Sequence, residues 1–211
     1  MRTCEVTVWW GYLDGAADRY RFGRLLSADE RSRAAAFRFP RGRSRFITAR
    51  ALMRNVLGGH VGVDPKRLEF AYGEQGKPRL AHDTGLHFNL SHSHGVMALA
   101  LCEGREIGID LEARREGPAS EVIAQRYLPP RVAAEIERQA AGDERLSAFF
   151  RAWVRQEAYA KGRGVGLEAI GEDPEDWSIT DLELLDGYAA ALAAEGTAPL
   201  RVTLRPLARS G

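Results

Sequence analysis

Hydrophobic and polar positions alternate with a period of two in some stretches and near 3.6 in others, and the switches between them outline the elements. Val6 to Tyr12 reads as a strand. Ser27-Ala-Asp-Glu30 is a capping-box sequence that predicts a short arginine-rich helix through Ala36, and a second helix is expected from about Arg43 to Leu57, ended by Gly58-Gly59. A strand over Leu68 to Tyr72 and a Gly-Lys-Pro turn follow, then strands Leu86 to Leu90, Val96 to Leu101 and Ile107 to Glu112. Residues 118 to 161 carry helical periodicity, broken at Pro129-Pro130 and near Gly142.

The pattern then echoes itself. Asp64-Pro-Lys-Arg-Leu-Glu-Phe70 resembles Asp173-Pro-Glu-Asp-Trp-Ser-Ile179, and each follows a long helix and a Gly-rich loop. Gly95-Val-Met-Ala-Leu-Ala-Leu-Cys-Glu-Gly104 aligns with Gly187-Tyr-Ala-Ala-Ala-Leu-Ala-Ala-Glu-Gly196 at Gly, Ala, Glu and Gly. The alanine-rich stretch 189 to 194 has helix propensity, but the echo makes it a strand. The expected class is therefore α+β, a pseudo-dimer of two similar halves, residues 1–108 and 109–211. A pseudo-twofold axis would relate them and place a site in the cleft between.

At 211 residues and 45% hydrophobic, the chain can bury a substantial core. A net charge of +1 excludes a globally basic nucleic-acid coat. Residues 19 to 54 nonetheless hold eleven arginines against Asp29 and Glu30, which reads as a polyanion site or as a solvated helical face. Cys4 and Cys102, far apart in sequence, suggest neither a disulfide framework nor a metal pattern. With no signal-peptide core near the start and no long apolar run, a soluble, monomeric, cytoplasmic protein is expected, free of membrane. Only Lys66, Lys77 and Lys161 are lysines among 30 basic residues, so a lysine marks a place where a compact ammonium is wanted.

Two short spacings carry the candidate chemistry. In a strand, Asp110 and Glu112 of Gly108-Ile-Asp-Leu-Glu112 project from one face, roughly 7 Å apart. In a helix, Glu157 and Lys161 of Trp153-Val-Arg-Gln-Glu-Ala-Tyr-Ala-Lys161 stack one above the other. Such a pair is also the commonest surface ion pair on helices. Here, though, Glu157 falls within the apolar stripe of Leu146, Phe149, Phe150 and Trp153, with Arg151 and Arg155 opposite. A carboxylate on a buried face needs a cation, a metal or a cleft. Three carboxylates with one ammonium suit a hard divalent cation and a phosphate, the ingredients of phosphoryl transfer. Ser91-His-Ser-His94 reads as a polar hairpin turn or as a functional His92. Zinc at His92 and His94 lacks a completing set. Trp153 and Tyr159 read as core or cleft wall.

Four motifs in order, Gly76-Lys-Pro78, Phe88-Asn-Leu-Ser-His-Ser93, Gly108-Ile-Asp-Leu-Glu112 and Trp153 to Lys161, resemble the 4′-phosphopantetheinyl transferases of the surfactin-synthetase-activating type. The resemblance implies transfer of the phosphopantetheine arm of coenzyme A to a serine of an acyl or peptidyl carrier protein, releasing 3′,5′-ADP. Magnesium dependence is implied with it, manganese being an alternative. By position, Asp110, Glu112 and Glu157 would bind the metal and Lys161 the pyrophosphate. Gly76, Lys77, Pro78, Ser91, His92, Arg33 and Arg45 would surround the coenzyme, with His92 at its 3′-phosphate. Asp110, Glu157 and Lys161 form the expected catalytic set. The carriers would be of fatty-acid, polyketide or nonribosomal-peptide type, and nucleic acid is not an expected partner. Two positions depart from the family pattern: Gln156 stands where lysine is usual, and Arg131 where relatives place an acid. The first leaves Glu157, or a metal-bound hydroxide that it orients, as the expected base for the serine proton. A non-catalytic carrier-binding paralogue and a metal-dependent coenzyme A hydrolase are the competing readings.

Overall fold

The structure, a computed structural model, describes residues 3–14, 22–115, 120–166, 170–171 and 174–207. Asp173, which opens the second copy of the echo, lies outside them. Nine strands and five α-helices are described: β1 Cys4–Tyr12, α1 Ala28–Ala35, α2 Pro40–Val61, β2 Phe70–Tyr72, β3 Pro78–Leu80, β4 Leu86–Ser93, β5 Val96–Glu103, β6 Ile107–Ala113, α3 Ser120–Tyr127, α4 Pro130–Arg138, α5 Asp143–Arg163, β7 Trp177–Asp181, β8 Tyr188–Glu195 and β9 Leu200–Pro206.

Most boundaries follow the local signals. Ser27 and Glu30 close a capping box at the start of α1. The alanine-rich stretch is strand β8, held between β6 and β7, so tertiary pairing overrides its helix propensity. The second helix is the clear correction. It begins at Pro40 and runs through Gly58-Gly59 to Val61, with Gly62 in the left-handed region as its cap. Gly58 serves here for close packing and not as a helix stop: a Cβ there would press to 2.6 Å from the Val63 carbonyl oxygen where the chain turns back. The strand expected from Leu68 starts only at Phe70, and β4 runs through Ser93, so only His94 and Gly95 form its hairpin turn with β5. Both have positive φ, 47° and 90°.

The two main sheets have the same connection pattern. One carries the order β4-β5-β1-β9 and the other β6-β8-β7. In each, a strand (β1 or β6) leads to a long helix (α2 or α5) and then to an antiparallel pair (β4-β5 or β7-β8), whose second member pairs with the leading strand. Side-chain alternation places two apolar faces on each sheet. Val6, Val8, Ala98 and Ala100 meet Ile107, Ile109, Leu111 and Leu192 in a core between the sheets. Met53 and Leu57 of α2 cover the outer face of the first with Phe88, Met97 and Leu99, while Val154 and Ala158 of α5 cover the second with Ala191 and Ala193. The layers thus run helix, sheet, sheet, helix. The expected division after residue 108 falls within β6, and β9 returns across it to pair in parallel with β1.

The sheets are joined edge to edge by side chains. One edge of β6 pairs with β8, and the N–H groups of Ile109, Leu111 and Ala113 on the other edge have no strand beside them to bond. Asn89 Oδ1, Ser91 Oγ and Ser93 Oγ from one face of β4 accept those three donors at 2.9, 3.3 and 3.2 Å. Buried backbone donors require such partners.

Candidate active site

This seam positions the predicted carboxylates. Asp110 and Glu112 share the face of β6 turned toward α5, and Asp110 is 1% exposed. Helix α5 approaches that face closely because residue 108 is glycine. A Cβ there would collide with the Ala158 carbonyl oxygen and the Gly162 nitrogen. Glu157 and Lys161 are carried over Asp110 as a result. Lys161 Nζ lies 2.5 Å from Asp110 Oδ1, 3.2 Å from Ser91 Oγ and 4.0 Å from Glu157 Oε2. Ser91 donates to Asp110 Oδ1 at 2.9 Å and Ser93 to Glu112 Oε2 at 2.7 Å. Asp110 Oδ2, wholly buried, has no hydrogen-bond partner among the described residues.

The electrostatics are those of crowded, desolvated acids. Burial pushes the Glu157 carboxyl above its ordinary value; Lys161 works against this and the charges of Asp110 and Glu112 add to it. Glu112 is raised likewise, first by burial and then by Asp110, against the opposing Ser93 hydrogen bond and Lys161. His92, on the opposite face of β4 from the two serines, is open to water, yet enough protein surrounds it that burial lowers its pKa, with Lys161 and Arg45 adding to the effect.

A divalent cation is compatible with this chemistry. An unpartnered buried carboxylate oxygen and three mutually repelling acids leave more negative charge than the single ammonium of Lys161 offsets. Among the described residues, no three acid, His or Cys side chains already converge on one point.

Comparison with known proteins decides the family. Residues 16–103 match the profile described as "4′-phosphopantetheinyl transferase, N-terminal", and residues 106–203 that of the "4′-phosphopantetheinyl transferase superfamily". The 4′-phosphopantetheinyl transferase HetI of a Nostoc species is 36% identical over 210 residues, covering 91% of this chain and 88% of that protein. The chain belongs to the 4′-phosphopantetheinyl transferase family. A Bacillus subtilis 4′-phosphopantetheinyl transferase is 27% identical over 84% of this chain and 80% of its own. AcpT of Salmonella typhi is 35% identical over 66% and 69%.

The other predicted residues of this transferase are more dispersed. Ser91 is 5% exposed and its hydroxyl already faces Asp110, Lys161 and the Leu111 N–H, so it stands behind the carboxylate and presents little surface to a coenzyme. Lys77 Nζ lies 2.6 Å from Glu106 Oε2 and 2.6 Å from the Gly162 carbonyl oxygen, where it caps the end of α5. Gly76 has a φ of 77° in the turn between β2 and β3, and Pro78 opens β3. Arg45 makes a two-pronged pair with Asp14, also held by Arg41, close to the His94-Gly95 turn. Arg33 lies over the rings of Phe46 and Tyr72.

The basic segment is partly consumed internally, since Arg50 and Arg54 are buried against Glu30. Gln156 turns away from the carboxylates and accepts the Gly171 N–H at 2.9 Å. Trp153 and Tyr159 pack with Tyr127, Phe149 and Trp177 as wall and core. Sequence reasoning missed Ser93, Asn89 and the positional role of Gly108. Period-two alternation of short polar residues in Asn89-Leu-Ser-His-Ser93 was the available signal.

Proposed function

We propose that this transferase moves the 4′-phosphopantetheine arm of coenzyme A onto a serine hydroxyl of an acyl or peptidyl carrier protein and releases 3′,5′-ADP, with Mg²⁺ or Mn²⁺ as its metal. The observation that carries this reading is the buried cluster of Asp110, Glu112, Glu157 and Lys161, in which an ammonium and an unpartnered carboxylate oxygen lie side by side. Asp110, Glu112 and Glu157 would hold the metal, which supplies Lewis-acid neutralisation of a pyrophosphate. Lys161 binds the same pyrophosphate and stabilises charge as the phosphate bond breaks. Glu157, whose pKa burial raises above that of an ordinary carboxylate, is a stronger base and is suited to take the proton from the carrier serine. His92, open to water and within the influence of the charges of Lys161 and Arg45, would offer a hydrogen bond to the outlying phosphate of the coenzyme, and Lys77 of the Gly76-Lys77-Pro78 turn reaches the end of α5.

The shared connection pattern of the two sheets supports residues 1–108 and 109–211 as copies related by a pseudo-twofold axis, with this cluster at their junction. Among the described residues no helix is long and apolar enough to cross a membrane. A monomer acting in the cytoplasm completes the reading. Intact-protein mass spectrometry of apo carrier domains with coenzyme A and Mg²⁺ tests it. A chelator-sensitive gain of one phosphopantetheinyl group is expected. Release of 3′,5′-ADP without carrier modification would point instead to a hydrolase, and coenzyme binding with neither product to a carrier-binding paralogue.

A further inference from the structure

The three rungs that β4 extends to β6 differ in one respect. Each accepts a backbone N–H of β6, from Ile109, Leu111 and Ala113. The residue preceding each of those donors is Gly108, Asp110 and Glu112 respectively. Beside Gly108 there is no side chain to address, and the rung is an amide, Asn89, whose oxygen needs only to accept. Beside the two acids the rung is a serine. A hydroxyl accepts and donates through one atom, so once the N–H is bound its proton is free for the neighbouring carboxylate. Both serines use it that way, to Asp110 Oδ1 at 2.9 Å and to Glu112 Oε2 at 2.7 Å. Both are buried, at 5% and 7% exposure.

We propose that Ser91 and Ser93 are positioning residues: by engaging one oxygen of Asp110 and one of Glu112, they fix which oxygen each acid presents to the divalent cation of the proposed reaction. This inference rests on the metal-dependent reading above and gives it a ligand set. Asp110 Oδ2, the buried oxygen without a hydrogen-bond partner, is the one left over on the first acid. On Glu112 it is Oε1. Simple adhesion between the sheets would need acceptors alone, as at Asn89. Charge-assisted donation to both acids is the surplus that adhesion does not explain. The hydroxyls act on the carboxylates from behind, in the manner of groups that orient metal ligands without touching the metal.

The test is Mn²⁺ binding by the full chain in the presence of coenzyme A, followed by electron paramagnetic resonance of free Mn²⁺, with thermal melts in parallel. Ser93→Ala is expected to weaken Mn²⁺ binding about 10–100-fold, the usual cost of losing such a partner. Ser93→Thr, which keeps the hydroxyl, should restore binding to near wild type. If Ser93→Ala does not fold, Ser93→Cys fills similar space with a far weaker donor and should show the same loss. Mn²⁺ affinity unchanged in Ser93→Ala or Ser93→Cys, whatever the melting temperature, overturns the positioning role and leaves the metal reading intact. A wild-type chain that binds no Mn²⁺ overturns both.

Discussion

Glu157 sits half-buried with its carboxyl among two other acids and one ammonium. Glu157→Gln keeps shape and removes the charge, so the protein should fold and lose roughly 10²–10⁴ in turnover, the range of a lost acid-base group. Lys161→Ala should lower kcat by about 10²–10³ in addition to any loss of coenzyme affinity, which steady-state kinetics on an apo carrier would measure. Turnover near wild type in either would refute the role assigned to it. Gly108→Ala is a different kind of change, because its methyl group must push α5 away from β6. It should cost about 1–3 kcal/mol in a denaturant melt and about 10² in rate through misplacement of Glu157 and Lys161. At this scale the sequence was informative wherever spacing within one element decided the geometry. Asp110 with Glu112, and Glu157 with Lys161, needed only the periods of a strand and a helix. Ser93 and Gly108 act across elements, and their partners lie 19 or more positions away.

Helix α5 is held at several points along its length: against β6 at Gly108, at its end by Lys77, and by Gln156 on the loop that follows. Helices α1 and α2 are tied to each other by a buried ion cluster, Glu30 with Arg50 and Arg54. Burial is the strongest single influence on Glu30 and raises its pKa, but the Arg54 hydrogen bond, the Ser27 N–H and the charges of both arginines outweigh it and hold the carboxyl below its ordinary value of 4.5. A depressed pKa in the folded state contributes stability that is present above 4.5 and is lost as pH falls through the folded value. Glu30→Gln should therefore destabilise the protein by about 3–5 kcal/mol at neutral pH, since two buried guanidinium groups lose their counter-charge. The difference from wild type should shrink in acid melts. Residues 19–54 illustrate what charge counting leaves out. Their arginines read as a polyanion surface, yet Arg50 and Arg54 face inward, because α2 turns that side toward a buried acid on α1.

Across the whole molecule, the internal echo was legible and the closing contacts were not. Repeated Gly, Ala and Glu positions identified β8 as a strand despite its composition, because the repeat reports tertiary context. Cys4 and Cys102, separated by 98 positions, stand with sulfurs 2.8 Å apart between β1 and β5, an adjacency that spacing does not reveal. Burial, with Cys4 adding to it, pushes the Cys102 thiol from 9.0 up to about 12. The folded protein should thus react sluggishly with thiol reagents at pH 8, both cysteines becoming reactive only on unfolding. A raised pKa contributes stability in full below 9.0 that is lost as pH rises through about 12, so melting points should fall over that range. Rapid labelling of the native protein at pH 8 would contradict this environment.

Parallel pairing of β9 with β1 has a consequence in time. Strand β1 leaves the ribosome long before the neighbour along one of its edges, residues Leu200–Pro206. At about 5–20 residues per second, that edge waits roughly ten seconds or more before its partner is made. During synthesis the first sheet is an unfinished surface, with Val6 and Val8 ready for any extended segment nearby. The growing chain is thus most in need of a chaperone in the interval before β9 arrives.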